Sequence, residues 1–297
     1  KVNRSIGTTV QPTYYRERLH EAATGTEDTK QEVLTKDFNM WQTGRIMHWI
    51  KGDRIRPLQI DRRITDCRYQ DGWQVFVGLD FSQGDDLFAV TYLAVDYTPS
   101  DTMRGRFFAD TDCWVLEETM RQSPNRPLYE QWAAAGWLHI CPGEVFDSML
   151  AINRIAEVAQ SGVNIVSFGY DPAQSIQPIN QLKAWLQTLF QRTDVSPKEL
   201  ADVIQRMVIP VSQTSMTQNP RVGELEHMIL EKEPWLTFSA NPMWSWMFGN
   251  CAAELNSSDL RRIVKGGPQP THKIDGVAAL IDALYCFDLS EGRIESN

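Results

Sequence analysis

The chain has 297 residues, 42% of them hydrophobic, with ten tryptophans and a formal net charge of −9. That length holds one large domain or two smaller ones with a sizeable core, and no apolar run reaches the roughly 18 residues of a membrane span. The acidic balance excludes a surface coated with phosphate-binding cations and leaves nucleic-acid contact to a local basic stripe.

Residues 1–70 differ from the rest. The first residue is Lys1 rather than Met, so the chain reads as a fragment or processed product. Gln11-Pro12 to Ala22 predicts a short helix with Pro near its start. A second helix is expected over 29–36, and Trp41 and Trp49 anchor an irregular arm rich in Arg and Asp. This region reads as a connector, and residues 71–297 as the folded domain.

From about residue 72 strands and helices alternate. Strands are expected over 74–80, 87–96 and 106–117, a helix over 128–136, and a short strand over 137–141. Asp147-Ser148 starts a helix to about 161. A strand over 163–170 ends at Asp171-Pro172, and helices follow near 175–190 and 197–206. A strand covers 207–211, helices lie near 221–232 and 243–254, a strand near 259–264, and a last helix over 274–288. Early antiparallel strands followed by βα units indicate an α/β fold, a mixed central sheet flanked by helices. The five cysteines are scattered without a CxxC pair, which suits buried thiols in a reducing compartment and argues against a zinc knuckle.

Three carboxylates stand where elements begin or end. Asp80 closes the apolar run Val75-Phe76-Val77-Gly78-Leu79, and a polar turn returns to Phe88-Ala89-Val90. Asp86 lies on that turn and can reach the same sheet edge, while Asp85 faces the other way by strand alternation. Asp171 ends a second apolar run before Pro172, which forces an extended conformation and stops the strand. That places it at the carboxyl edge where α/β sheets bind ligands. Asp275 opens the last helix, where an acid also suits the helix dipole. Each acid has a plain structural use as a turn or cap residue. Together they repel one another unless positive charge lies between them, and hard divalent cations prefer such oxygens. Three or four acids of this kind make a two-metal phosphodiester-cleaving site. Asp282 lies two turns beyond Asp275, about 10 Å along the helix, and is expected to be structural or to support the other acids from behind.

The stretch from Asp259 to Lys273 is basic and punctuated by Gly and Pro. It could bring Arg261, Arg262, Lys265 and Lys273 to a DNA backbone, or be a solvated hairpin. His272 beside Asp275 reads as a loop residue, and Pro242 to Phe248 as helix core. There is no GxxxxGK[ST] loop, no GxGxxG after a strand and no GxSxG elbow.

The set Gly78-Leu79-Asp80-Phe81-Ser82, Asp86 to Val90, Gly169-Tyr170-Asp171-Pro172, Asn241 to Trp246 and Lys273 to Leu280 resembles the nuclease part of the large terminase subunit of tailed phages. Glu32 to Trp41 is similar to the stretch that joins that family's ATPase to its nuclease. The resemblance implies an RNase H-like fold and a Mg2+- or Mn2+-dependent endonuclease with two ions, cutting concatemeric phage DNA at the start and end of packaging. It implies that Asp80, Asp171 and Asp275 bind metal, with Asp86 as an additional acid. Double-stranded DNA, a portal protein, the small terminase subunit and an ATPase domain of the same full-length protein are the implied partners, and the host cytoplasm the location. The sequence departs from the family at Asp282, where a small apolar residue is usual. Two other readings stay open: an actin-like ATPase or sugar kinase, which shares the strand-acid-hairpin opening but needs glycine-rich loops not found here, and a non-catalytic portal-docking module.

Overall fold

Strands covered on both faces need continuous apolar runs, and the longest such runs of this chain form the middle of a sheet. The computed structural model describes residues 12–24, 33, 37, 45–81, 86–173, 175–191, 196–267 and 271–294. The expected helix at 29–36, apart from residue 33, and Trp41 and Asp85 lie outside the described residues.

In chain order the elements are α1 (Pro12–Thr24), β1 (Arg45–His48), α2 (Gly52–Ile55), β2 (Gln59–Ile60), β3 (Trp73–Asp80), β4 (Phe88–Asp96), β5 (Phe107–Leu116), α3 (Glu117–Gln122), α4 (Arg126–Ala134) and β6 (Leu138–Cys141). They continue with α5 (Ser148–Gln160), β7 (Ile165–Tyr170), α6 (Ile176–Phe190), α7 (Pro197–Met207), β8 (Val208–Pro210), α8 (Ser215–Leu230), β9 (Leu236–Ser239), α9 (Met243–Asn250), β10 (Cys251–Leu255), β11 (Arg261–Lys265) and α10 (Asp275–Ser290). The main sheet runs β2-β9-β5-β4-β3-β7-β8, with β6 pairing the far end of β5. β3, β4 and β5 are antiparallel to one another, whereas β7 lies parallel to β3 and β8 parallel to β7. This is the mixed sheet expected, with helices on both faces. A second, three-stranded sheet has the order β1-β10-β11.

Several elements differ from expectation. The helix expected near 221–232 starts at Ser215, where Thr214 accepts from the Thr217 N–H, and Pro220 lies inside it. The helix expected over 243–254 ends at Asn250. Cys251–Leu255 are a strand because β1 and β11 pair with it on both sides, and tertiary pairing overrides the helix preference of alanine. Strand β9 was not anticipated, because its partner Phe107–Ala109 lies far upstream. Residues 45–66 supply β1 to the small sheet and β2 to the main one. Arg63 fastens this stretch to β5 through Asp110 at 3.0 Å and Asp112 at 3.5 Å. The five cysteines are free and buried, as the sequence predicts, and Met243, Trp244, Met247 and Phe248 are core residues.

Alternation sorts the side chains of β3 between two cores. Val75, Val77 and Leu79 face α5 and α6, where they meet Ile152, Ile155 and Leu182. Phe76 faces α10, among Val277, Leu280, Leu284 and Phe287. Each such side chain contributes about 1.5–3 kcal/mol on burial. Helix α10 is apolar nearly all round, as a buried helix must be. It ends where Gly292 adopts φ +67°, a left-handed stop that donates to Leu289 O.

What lets α10 lie so close to the sheet is a pair of glycines. Gly78 and Gly169 are register partners on β3 and β7. A Cβ at Gly78 would stand 1.7 Å from Ala279 O, and one at Gly169 would stand 2.6 Å from Asp282 O. Backbone atoms of a buried helix cannot yield to that. Gly78→Ala is therefore expected to lower stability by about 3 kcal/mol through overpacking, read as a reduced urea midpoint. An unchanged midpoint would show that α10 is free to lift.

Candidate active site

The face that carries the glycines also carries the acids. Phe76, Gly78 and Asp80 alternate toward α10 on β3, and Ser167 and Gly169 do so on β7. The last paired residues are Leu79 and Tyr170, so Asp80 and Asp171 follow side by side at the carboxyl edge. Beyond Asp171 the chain turns, its Oδ1 accepting from the Ala173 N–H at 2.9 Å and its backbone carbonyl accepting from the Ser175 hydroxyl. Asp275 comes from the first turn of α10. Thr91 Oγ1 donates to Gly276 O at 2.9 Å, Asn250 Nδ2 to Lys273 O at 3.0 Å and Asn125 Nδ2 to Thr271 O at 2.8 Å. These bonds hold the entry to α10 over the strand ends.

Asp80, Asp86, Asp171, Asp275 and Asp282 all line one cavity of about 320 Å³, with Gln213 and Lys265 in its wall. The three acids singled out from the sequence thus come from three elements to one cleft. Asp282 was expected behind the site. It reaches the cleft because the cavity extends along α10, so two turns of helix separate the acids without removing either.

The cleft is electrostatically crowded. Burial pushes the Asp80 carboxyl well above the ordinary range, and the charges of Asp275, Asp282, Asp86 and Asp171 add to the rise. Asp80 is partly exposed, at the rim of the cavity. Burial and then Asp86 raise Asp275 to about 7, against the opposing pull of Lys265 and Lys273. Burial also raises Asp282, with Asp171 adding and the Gln213 bond subtracting.

Asp86 is the exception. Its burial is outweighed by hydrogen bonds from Lys265 and Lys273, which hold its pKa below the ordinary value. Lys265 Nζ and Lys273 Nζ stand 2.6 and 2.8 Å from the same oxygen, Asp86 Oδ1. Asp86, expected as an additional metal acid, lines the cavity, and one of its oxygens accepts from both ammonium groups. Lys273 was expected to meet a DNA backbone, yet it is 2% exposed and turned into the cleft wall. Arg261 donates to both oxygens of Glu226 at 2.7 Å, and Arg262 Nε to Glu254 at 2.6 Å. The basic stretch therefore faces carboxylates of its own chain. His272 is partly buried beside the Thr271 hydroxyl.

Among the described residues no group of three or more His, Cys, Asp or Glu side chains is already assembled as a metal cage. The donors nevertheless fit a hard divalent cation. They are carboxylate oxygens throughout. Asp275 Oδ2 is buried without a hydrogen-bond partner, and the Asp80 carboxylate accepts no hydrogen bond among the described residues.

The family model for the terminase large subunit, endonuclease domain, matches residues 13–291. Among solved structures, the large terminase of bacteriophage HK97 is similar with a TM-score of 0.62 and 17% identity, over 95% of this chain and 52% of that one. This chain spans about half the length of the HK97 protein, and at that identity the likeness is one of fold. The large terminase nuclease of thermophilic phage G20c gives 0.45 at 12% identity, over 80% of this chain and 97% of that one. The nuclease domain of the bacteriophage SPP1 large terminase, with bound Mn, gives 0.36 at 12% identity, over 78% and 93%. No curated protein sequence matches.

An acid whose pKa is raised by folding holds its proton longer in the folded state than in the unfolded one. Stability then falls as pH rises between the unfolded value and the folded one. For Asp275 that window runs from 3.8 to about 7. In metal-free protein, Asp275→Asn is expected to melt above the unaltered chain, with a gap that widens as pH rises from about 4 to 7. A gap that stays constant across this range would mean that Asp275 titrates normally.

Proposed function

Because this chain belongs to the family of terminase large-subunit endonuclease domains, we propose that it is a divalent-metal-dependent DNA endonuclease that cuts concatemeric genome DNA in a tailed-phage packaging motor. The observation that carries the reading is the opening of Asp80, Asp171 and Asp275 onto one cleft, with Asp275 Oδ2 buried and unpaired. Membership in this family also replaces the actin-like alternative.

Asp80, Asp171 and Asp275 would hold Mg2+ or Mn2+, two ions in this reading. The chemistry such ions would supply is a lowered pKa for an attacking water and stabilisation of the leaving oxygen of the phosphodiester. The protein supplies placement. β3 and β7 fix Asp80 and Asp171 on neighbouring strands, and the hydroxyl of Thr91 fixes the turn that bears Asp275. Asp86 retains Lys265 and Lys273 in the cleft, and we assign it to that task. The two ammonium groups leave positive charge where a phosphate must enter an acidic cavity. Arg262, the most exposed of the four basic residues, is the one placed for backbone contact outside the cleft.

We assign residues 71–297 to the nuclease and residues 1–70 to the connector from an ATPase domain, with 45–66 docked on the nuclease sheets. Portal protein and small terminase subunit are the proposed partners, and host cytoplasm the proposed location. Among the described residues no helix is long and apolar enough to cross a membrane.

Supercoiled plasmid incubated with the protein and Mn2+ should be nicked, and EDTA should stop the reaction. Asp80→Ala, Asp171→Ala and Asp275→Ala should each abolish nicking without unfolding the protein. Nicking that survives Asp171→Ala would remove this cleft from consideration. DNA binding should weaken steeply between about 50 and 200 mM salt and show little sequence preference; a sharp cleavage consensus would contradict that.

A further inference from the structure

We propose that Asp282, oriented by Gln213, is a further cation-binding carboxylate of the cleft, serving the end nearest Asp171. The proposal rests on the metal-dependent reading above and adds a residue to it.

Buried acids in this protein fall into two kinds. Asp110 is paired with Arg63 at 3.0 Å, Asp112 with Arg154 at 2.9 Å and Asp288 with Arg221 at 2.8 Å. These are structural acids, each neutralised by a guanidinium. Asp275 and Asp282 are equally buried, at 3% and 2% exposure, and among the described residues neither has an arginine or lysine bonded to it. Both lie on α10 and both line the same cavity. A carboxylate removed from water without a cation is costly. One kept so at the wall of an acid-lined cavity points to a cation from outside. The buried, unpaired Asp275 Oδ2 in the same cavity is a second, independent observation pointing to a cation.

The surroundings of Asp282 are those of an oriented ligand. Its one hydrogen bond among the described residues comes from Gln213 Nε2 to Oδ1, at 3.0 Å. That leaves Oδ2 for an ion. Amide orientation along this line is fixed by a backbone donor that cannot turn round. The Ile263 N–H donates to Gln218 Oε1 at 2.8 Å, so Gln218 must offer its NH2 to Gln213 Oε1, at 2.5 Å. Gln213 is then obliged to turn its own NH2 toward Asp282. A donor there favours the ionised carboxylate over the protonated one. Asp282 O also packs against Gly169, two residues before Asp171, whereas Lys265 and Lys273 are gathered around Asp86 at the Asp275 end. Asp282 therefore serves the part of the cleft that has no ammonium group bonded within it. Gln213 is a positioning residue in this account.

The test is calorimetric titration of Mn2+ into the metal-free full chain, alongside Asp282→Asn and Gln213→Ala. Asn keeps the shape and the acceptor for Gln213 but removes the charge. It should weaken the tighter Mn2+ site at least about tenfold and leave the metal-free melting temperature equal or higher. Gln213→Ala should also weaken the same site, by about tenfold. Unaltered Mn2+ affinity in Asp282→Asn would overturn the proposal, and a lowered melting temperature with that unaltered affinity would mark Asp282 as structural. If the Asn variant does not fold, Gln213→Ala decides, since an unchanged affinity there also overturns the assignment. Failure of the unaltered chain to bind Mn2+ or nick plasmid strikes the endonuclease reading itself. Binding and nicking by the unaltered chain, with no loss in either variant, strikes Asp282 alone.

Discussion

The close approach of helix α10 to strands β3 and β7 governs this protein. Two glycines side by side in adjacent strands leave a trough with no side chains, and the backbone of α10 occupies it. The helix is apolar on nearly every face, so burial holds it there. Two residues beyond each glycine, on the same strand face, an aspartate reaches the end of its strand. The contact that closes the core thus also sets Asp275 and Asp282 over Asp80 and Asp171. Folding and assembly of the site are one event.

Such an arrangement stores electrostatic cost. Carboxyl groups that would ionise near pH 4 in water resist ionisation in the cleft, through burial first and mutual repulsion second. Elsewhere the protein pairs a buried acid with arginine. Among the described residues of the cleft, Asp86 is paired with lysine instead. That choice divides the cavity into an end with built-in positive charge and an end without it. In the proposed reading, an acidic chain would meet a polyanion through charge that is local.

The small sheet β1-β10-β11 is joined to the cleft through its third strand. β11 carries Lys265 into the cavity, and its Ile263 N–H fixes Gln218. It is anchored to α8 by the Arg261–Glu226 pair and by Asn219, whose Oδ1 accepts from the Arg261 N–H. The basic stretch that reads as a DNA-facing loop is in good part the scaffold of the active cleft.

The sequence by itself determined the α/β class, the strand-end positions of Asp80 and Asp171 and the helix-start position of Asp275. Continuous apolar runs, a Pro after Asp171 and a continuous apolar helix are local signals, and they were readable as such. Family resemblance gave those acids a common purpose. Tertiary structure alone decided that Cys251–Leu255 is a strand, that Leu236–Ser239 pairs with β5, that Asp86 binds two lysines and that Asp282 opens into the cleft. The reason is that each of these depends on a partner far away in the chain. A β-strand needs a neighbour to be a strand, an ion pair needs its counter-ion, and a helix face is buried or open according to what lies across from it. Seven residues of helix fix a separation but not which wall of a cavity they border.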